Sequence, residues 1–289
     1  MIELNRIRKA RGFLHLGKND GYDLVIESFS ILSEELQARA VKAREHADAP
    51  SPYVPIAAAT HFVTAKLMDL LARFEMVDWM AEELSQLSDR ENIQRQIYLG
   101  LAIKDFHVDV FSLLDPLASA LSLVSSGLNA ETNRRLPGWT AIQSRKSGGV
   151  GIHRQNLADD LCQFVDSTDR WLPTVTQIRD ILIHRDRLKL IVGDPTDGIL
   201  FQMPGWTRTR PVLQPVLLHP ERPDVVDFEL YSAFVVAEIL ALLNELGQQM
   251  AKRLGMKLRA QPLSMRYGNY KGPARGMDRL QRLLQTPSD

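Results

Sequence analysis

Cysteine is almost absent: Cys162 is the only one in 289 residues. That excludes an intramolecular disulfide and any zinc site built from several thiolates. A reducing, cytoplasmic location is expected for such a chain. Net charge is absent as well, with 35 Lys and Arg against 35 Asp and Glu. A chain built mainly to coat nucleic acid is thereby disfavoured, although a local basic site is not. The seven histidines fall into neither His-x-x-x-His nor His-Glu-x-x-His, the spacings that put metal ligands on one helix face, so no metal site is expected. Lys146–Gly151 (KSGGVG) lacks the residue order of a phosphate-binding P-loop. Long apolar runs are broken by charge, as Glu238 breaks SAFVVAEILALL. A membrane span needs about 20 apolar residues, and none is expected. The first residues carry charge with no apolar core after them, so a secretory signal is not expected either.

What is present points to helices. A hydrophobic content of 45% with 24% charge is that of a globular protein with a sizeable core. Leu24, Ile31, Leu32 and Leu36 follow a helical period within 23–46. After the break at Pro50–Pro55, a second apolar helix is expected over 56–87, and a third from about Arg90, capped by Ser88 or Asp89 and kinked at Pro116. Residues 127–151 are rich in Gly, Asn, Ser and Arg and read as a loop. Helix returns over 155–188, where Pro173 predicts two helices meeting or one kinked helix. LKLIV and ILFQM, joined by the turn residues GDPTDG, predict a hairpin. The five prolines between Pro204 and Pro223 predict an irregular connection. A strongly apolar helix over 227–254 should end at Gly255. From Lys252 onward there are nine Lys or Arg against two Asp, which reads as a basic tail. In that tail Arg266, Tyr267, Tyr270, Lys271 and Arg275 interleave cations with rings that could stack on unpaired RNA bases; the other reading is a docking tail that balances acidic helices.

One stretch is more specific than the rest. IRDILIHRDR (Ile178–Arg187) sets Arg179, Asp180 and His184 on one short helix. An arginine can hold a phosphate through two N–H bonds, and a histidine can move a proton near neutral pH. Val175, Ile178 and Leu182 define a buried face, with Asp180, His184 and Arg187 on roughly the opposite side. Asp180, one turn before His184, is placed to orient or charge-stabilise its imidazole. Arg179 lies five residues before His184, roughly 140° around a straight helix. The pair therefore flanks a groove or complements the same pair in a second subunit. A solvated, salt-bridged helix end is the bland reading of the same residues.

The Arg-Asp-x-x-x-His spacing resembles the HEPN family (higher eukaryotes and prokaryotes nucleotide-binding domain), whose hallmark is an arginine, often a polar follower, and a histidine after four to six intervening residues. Arg179, Asp180 and His184 match those positions. The resemblance implies an all-α helical bundle with the core over about 56–254, a single domain over 1–254, a small β-hairpin and Pro-rich insertion over about 189–225 after the motif helix, and a basic C-terminal tail over 255–289. It implies a metal-independent endoribonuclease without cofactor. His184 would act as general acid or base, Arg179 would stabilise the phosphorane, Asp180 would set the imidazole tautomer, and Arg185 and Arg187 would contact phosphate. The implied partners are RNA, a second copy of the chain, and a cognate antitoxin or inhibitor of a toxin or defence effector. One subgroup carries a tyrosine two residues after the histidine; Asp186 stands there in this chain, so that subgroup's regulatory pairing is not implied. A non-catalytic nucleotide- or protein-binding module of the same fold, and a plain helical interaction protein, remain open alternatives.

Elsewhere, His107 in KDFHVDVF reads as a core or boundary histidine, or as a second polar feature facing the motif helix. His61, in an apolar helix, reads as partly buried with one hydrogen bond, and Cys162 as a buried small hydrophobe.

Overall fold

A computed structural model of the chain describes residues 2–14, 28–46, 51, 53–84, 92–126, 136–143, 145–146, 149–150, 152–184, 190–192, 198–202, 213–258 and 271–285. Helices dominate. They are α1 (Leu4–Leu14), α2 (Ser28–His46), α3 (Tyr53–Leu84), α4 (Asn92–Ser125), α5 (Trp139–Gln143), α6 (Ile152–Gln155), α7 (Asp159–Ser167), α8 (Leu172–His184), α9 (Phe228–Arg253) and α10 (Lys271–Gln285). The expected all-α character holds in the main.

The sequence of α9 explains its place. Apolar side chains surround it, so it can be stable only where other elements cover it on all sides. Asp227 caps its start by accepting a hydrogen bond from the Leu230 amide at 3.1 Å. Gly255, at φ +63°, ends it. The Met256 amide reaches back to the Ala251 carbonyl at 2.9 Å, a left-handed closure that glycine adopts without steric penalty. Helices α1, α2, α7 and α10 lie against α9, and α3 and α4 form an antiparallel hairpin beside it. One core, with Phe29, Leu70, Phe106, Trp139, Phe228 and Met277 among its members, joins residues of α1, α2 and α10 to the rest.

Two hairpin strands do form. β3 (Leu190–Val192) and β4 (Ile199–Gln202) pair antiparallel, with Ile191 opposite Leu200. They belong to a four-stranded sheet of order β3-β4-β6-β5, in which β5 is Leu218–His219 and β6 is Arg222–Asp227. The sheet carries Phe201 against Phe228 and Tyr231 of α9, with ring centroids 6.2 and 6.0 Å apart.

Four expectations need correction. The loop placed at 127–151 contains α5, whose Trp139 and Ile142 are buried, and a short strand pair, β1 (Arg145–Lys146) with β2 (Gly149–Val150). Small and polar residues between these pieces obscured them. The irregular connection at 204–223 contains β5 and the start of β6; Pro220 and Pro223 flank the turn or sit where no ladder hydrogen bond is required. The supposed tail contains α10, which buries Met277 and Leu280 against α9 and α1, because its few apolar residues share one helix face. Finally, three helices are long and apolar enough, by length and composition, to cross a membrane: Tyr53–Val77, Ile97–Ser125 and Phe228–Arg253. Isolated charges such as Glu238 interrupt the apolar runs without making these helices polar along their length.

The expected break near Pro173 is present. A 3-10 turn at Thr168–Arg170 and the buried Trp171 separate α7 from α8. Pro173 stands in the first turn of α8, where its missing N–H removes no helical bond.

Candidate functional site

Helix α8 presents the motif. Leu172, Val175, Ile178 and Leu182 are buried, as their spacing predicts. Their face fixes the rotation of the helix, and rotation decides where the next side chains go. Arg179 emerges on the flank toward α4 and lies over the Phe111 ring, with its guanidinium carbon 4.6 Å from the ring centroid. The side chain keeps 32% exposure. Its Nε is buried, with no hydrogen-bond partner found for it among the described residues. Asp180 points outward and is 53% exposed, with its Oδ1 3.6 Å from Nη1 of Arg179.

This arrangement has chemical consequences. Stacking on an aromatic ring holds the guanidinium plane while leaving its N–H edge able to form two bonds to an oxyanion. The neighbouring carboxylate partly satisfies the charge at a distance too long for a close hydrogen bond, so an incoming phosphate would compete with a weak pair. His184 is the last residue of α8; its side chain, and the residues Arg185 and Arg187, lie outside the described residues. Arg179 and Asp180 are therefore brought together here, while the relation of His184 to Asp180 expected from the helical spacing is not described. Phe111 was not singled out by sequence reasoning. Its signal is the phase of α4, where it follows Val108 by three residues, but only the packing of α8 on α4 reveals its partner.

His107 is not a second polar feature facing α8. It is fully buried against α9: its Nδ1 lies 2.7 Å from the Ile103 carbonyl and its Nε2 3.0 Å from the Tyr231 hydroxyl. A carbonyl can only accept, so Nδ1 carries the proton and Nε2 accepts from Tyr231. Burial drives its pKa down to about 4, and the imidazole is neutral at physiological pH. His61 is exposed and contacts Gln37 Nε2 at 3.1 Å. Cys162 is a free, half-buried thiol, its pKa raised chiefly by burial.

Of the cations expected to face RNA, Arg275 is engaged elsewhere, and its neighbour on α10, Arg279, is engaged with it. Arg275 pairs with Glu229 at 2.6 Å, and Arg279 bridges Asp227 at 2.7 Å and Glu229 at 3.0 Å. They thus clamp α10 across the first turn of α9. Arg266, Tyr267 and Tyr270 lie outside the described residues, and so does the Lys271 side chain. A second internal charge cluster is structural. Glu238, 2% exposed, lies 2.7 Å from Arg170 and 3.3 Å from Arg6, joining α9 to α1 and to the turn before α8.

No family model, curated protein or solved structure matches this chain.

Proposed function

We propose that this protein is a metal-independent endoribonuclease of HEPN type, acting in the cytoplasm as a homodimer. Support comes chiefly from one observation: the Arg179 guanidinium is held over Phe111, beside an exposed Asp180, on the helix that ends at His184. A pre-oriented arginine and a histidine are the residue types that metal-independent phosphodiester cleavage draws on.

In this mechanism the RNA 2′-oxygen bonds to phosphorus and the P–O5′ bond breaks. His184 takes the 2′-hydroxyl proton or gives one to the departing 5′-oxygen. Arg179 binds the non-bridging oxygens as their charge grows, and Asp180 favours the imidazole tautomer needed. The products are a 2′,3′-cyclic phosphate and a 5′-hydroxyl. Arg185 and Arg187 contact flanking phosphates. A toxin or defence role, held in check by a cognate antitoxin or inhibitor, goes with this activity.

The test is cleavage of single-stranded RNA by the purified chain in EDTA. Wild type should cut and leave cyclic-phosphate ends; Arg179→Ala and His184→Ala should not. Cleavage that survives both substitutions removes the motif from the mechanism. A second reading, a non-catalytic nucleotide-binding module, is favoured by the Asp180 carboxylate, which already occupies one side of Arg179. It predicts RNA or nucleotide binding that is lost in Arg179→Ala without cleavage by any variant.

A further inference from the structure

The α3–α4 hairpin carries a feature that the motif does not use. Along α3, Phe62, Ala65, Asp69, Ala72, Met76 and Trp79 succeed one another at steps of three and four residues. Such spacing lines one face of a helix for packing against another helix. Most of that face points away from the core: Phe62 and Trp79 are each 60% exposed and Ala65 and Ala72 are exposed, while Met76 is half-buried against the core. Helix α4 repeats the pattern in Ile97, Leu101, Lys104 and Val108, with Ile97 and Leu101 55% and 52% exposed; the next position, Phe111, is covered by Arg179 and is not part of this face. Rows of exposed apolar side chains of this kind, here interrupted by Asp69 and Lys104, mark an interaction site.

The two seams have a fixed relative height. Arg73 of α3 pairs with Asp105 at 3.6 Å and Asp109 at 3.0 Å on α4. Because the helices are antiparallel, Trp79 then stands level with Leu101, and Ala72 with Val108.

We propose that this face binds a second copy of the chain, two α3–α4 hairpins closing into a four-helix bundle about a two-fold axis perpendicular to the helices, α3 on α3 and α4 on α4. One axis position serves both pairs. Placed between Lys104 and Asp105, it sets Leu101 against Val108 of the partner subunit. It also sets Lys104 against Asp105 of the partner subunit, an opposite-charge match across the axis. The observed height relation carries that axis to α3 between Glu75 and Met76. There Trp79 meets Ala72 of the partner subunit, a large side chain against a small one. Size and charge are thus complementary in a single register, as a two-fold interface between identical surfaces requires.

Peripheral docking on an anionic lipid surface is a poorer match. Asp69, Asp105 and Asp109 beside Lys66, Arg73 and Lys104 give the face no excess of the positive charge that anionic membranes attract. The bundle places the α8 helices of both copies on one edge. It supplies a surface for the dimer of the proposed function but does not rest on the cleavage chemistry.

Sedimentation of the full chain at micromolar concentration should give twice the 32.7 kDa chain mass. Leu101→Arg and Ala72→Arg, both at exposed positions, should each weaken the dimer tenfold or more, roughly the cost of an unpaired charge in an interface, with circular dichroism unchanged. In a Cys162→Ser background, Leu101→Cys mixed with Val108→Cys should cross-link, and neither variant should cross-link alone. A monomeric wild type, or a dimer indifferent to both arginines, overturns the proposal. So does failure of the mixed cysteines to cross-link while the chain sediments with anionic vesicles, which makes a bilayer the occupant. RNA cleavage is read separately: a monomer that still cuts RNA overturns the dimer alone, and a dimer that does not cut overturns the cleavage chemistry alone.

Discussion

The Arg179 guanidinium rests 4.6 Å above the Phe111 ring, and these two side chains join the motif helix α8 to α4. The ring acts on the arginine's orientation, not on its charge. Phe111→Ala should therefore lower RNA cleavage, or RNA affinity, by about 2- to 30-fold. That range corresponds to ~0.5–2 kcal/mol for a cation–π contact. Phe111→Tyr should retain most of the activity. Equal activity in Phe111→Ala and wild type would show that the ring does not prepare the site.

His107 and Tyr231 make acid sensitivity predictable. The imidazole is held neutral by burial, its pKa falling from 6.5 to about 4. The unfolded chain therefore binds more protons between those values. This contribution to stability is complete above pH 6.5 and is lost as pH falls toward 4, amounting to about 3 kcal/mol. Urea midpoints measured across that window should fall more in wild type than in His107→Gln. Parallel pH profiles for the two proteins would remove His107 as the sensor.

Removing the donor without removing the histidine gives a different signature. Tyr231→Phe leaves Nε2 of His107 buried without the hydroxyl 3.0 Å away, and should cost about 1–3 kcal/mol at neutral pH. Unchanged stability in urea titration would indicate that a water replaces the hydroxyl.

Glu238 predicts a pH dependence of the opposite sign. Its pKa is raised, burial outweighing the opposing influence of Arg170 and Arg6. A group with a raised folded pKa contributes stability below its unfolded value of about 4.5 and loses it as pH rises through the folded value. Arg170→Ala removes the 2.7 Å partner, so the pKa should rise further. The variant should be destabilised by about 3 kcal/mol at neutral pH, where the carboxylate is charged, and by less at pH 4.5. Equal destabilisation at both pH values would argue that Arg170 acts only by packing.

Gly247 tests the crossing of α2 on α9. A Cβ there would collide with the backbone of Ser28 and Phe29. Gly247→Ala should cost about 1–3 kcal/mol, the usual range for overpacking a core, and hydrogen exchange should rise first at the start of α2. A neutral substitution would mean that the two helices separate freely.

Local pattern settled much of this molecule. The helical period of Val175, Ile178 and Leu182 fixed the buried face of α8, and Asp227 and Gly255 marked both ends of α9, because caps and periodicity depend on neighbours within a few residues. The all-helical bulk and the β3–β4 hairpin were legible for the same reason. Tertiary structure decided what distance in sequence hides. It set Phe111 under Arg179, turned His107 toward Tyr231 instead of α8, and drew the cations of α10 to the first turn of α9. It also left Phe62 and Trp79 of α3 and Ile97 and Leu101 of α4 exposed. Each depends on which helix lies beside which, and packing chooses that by burying apolar area across the whole chain, information that no single segment carries.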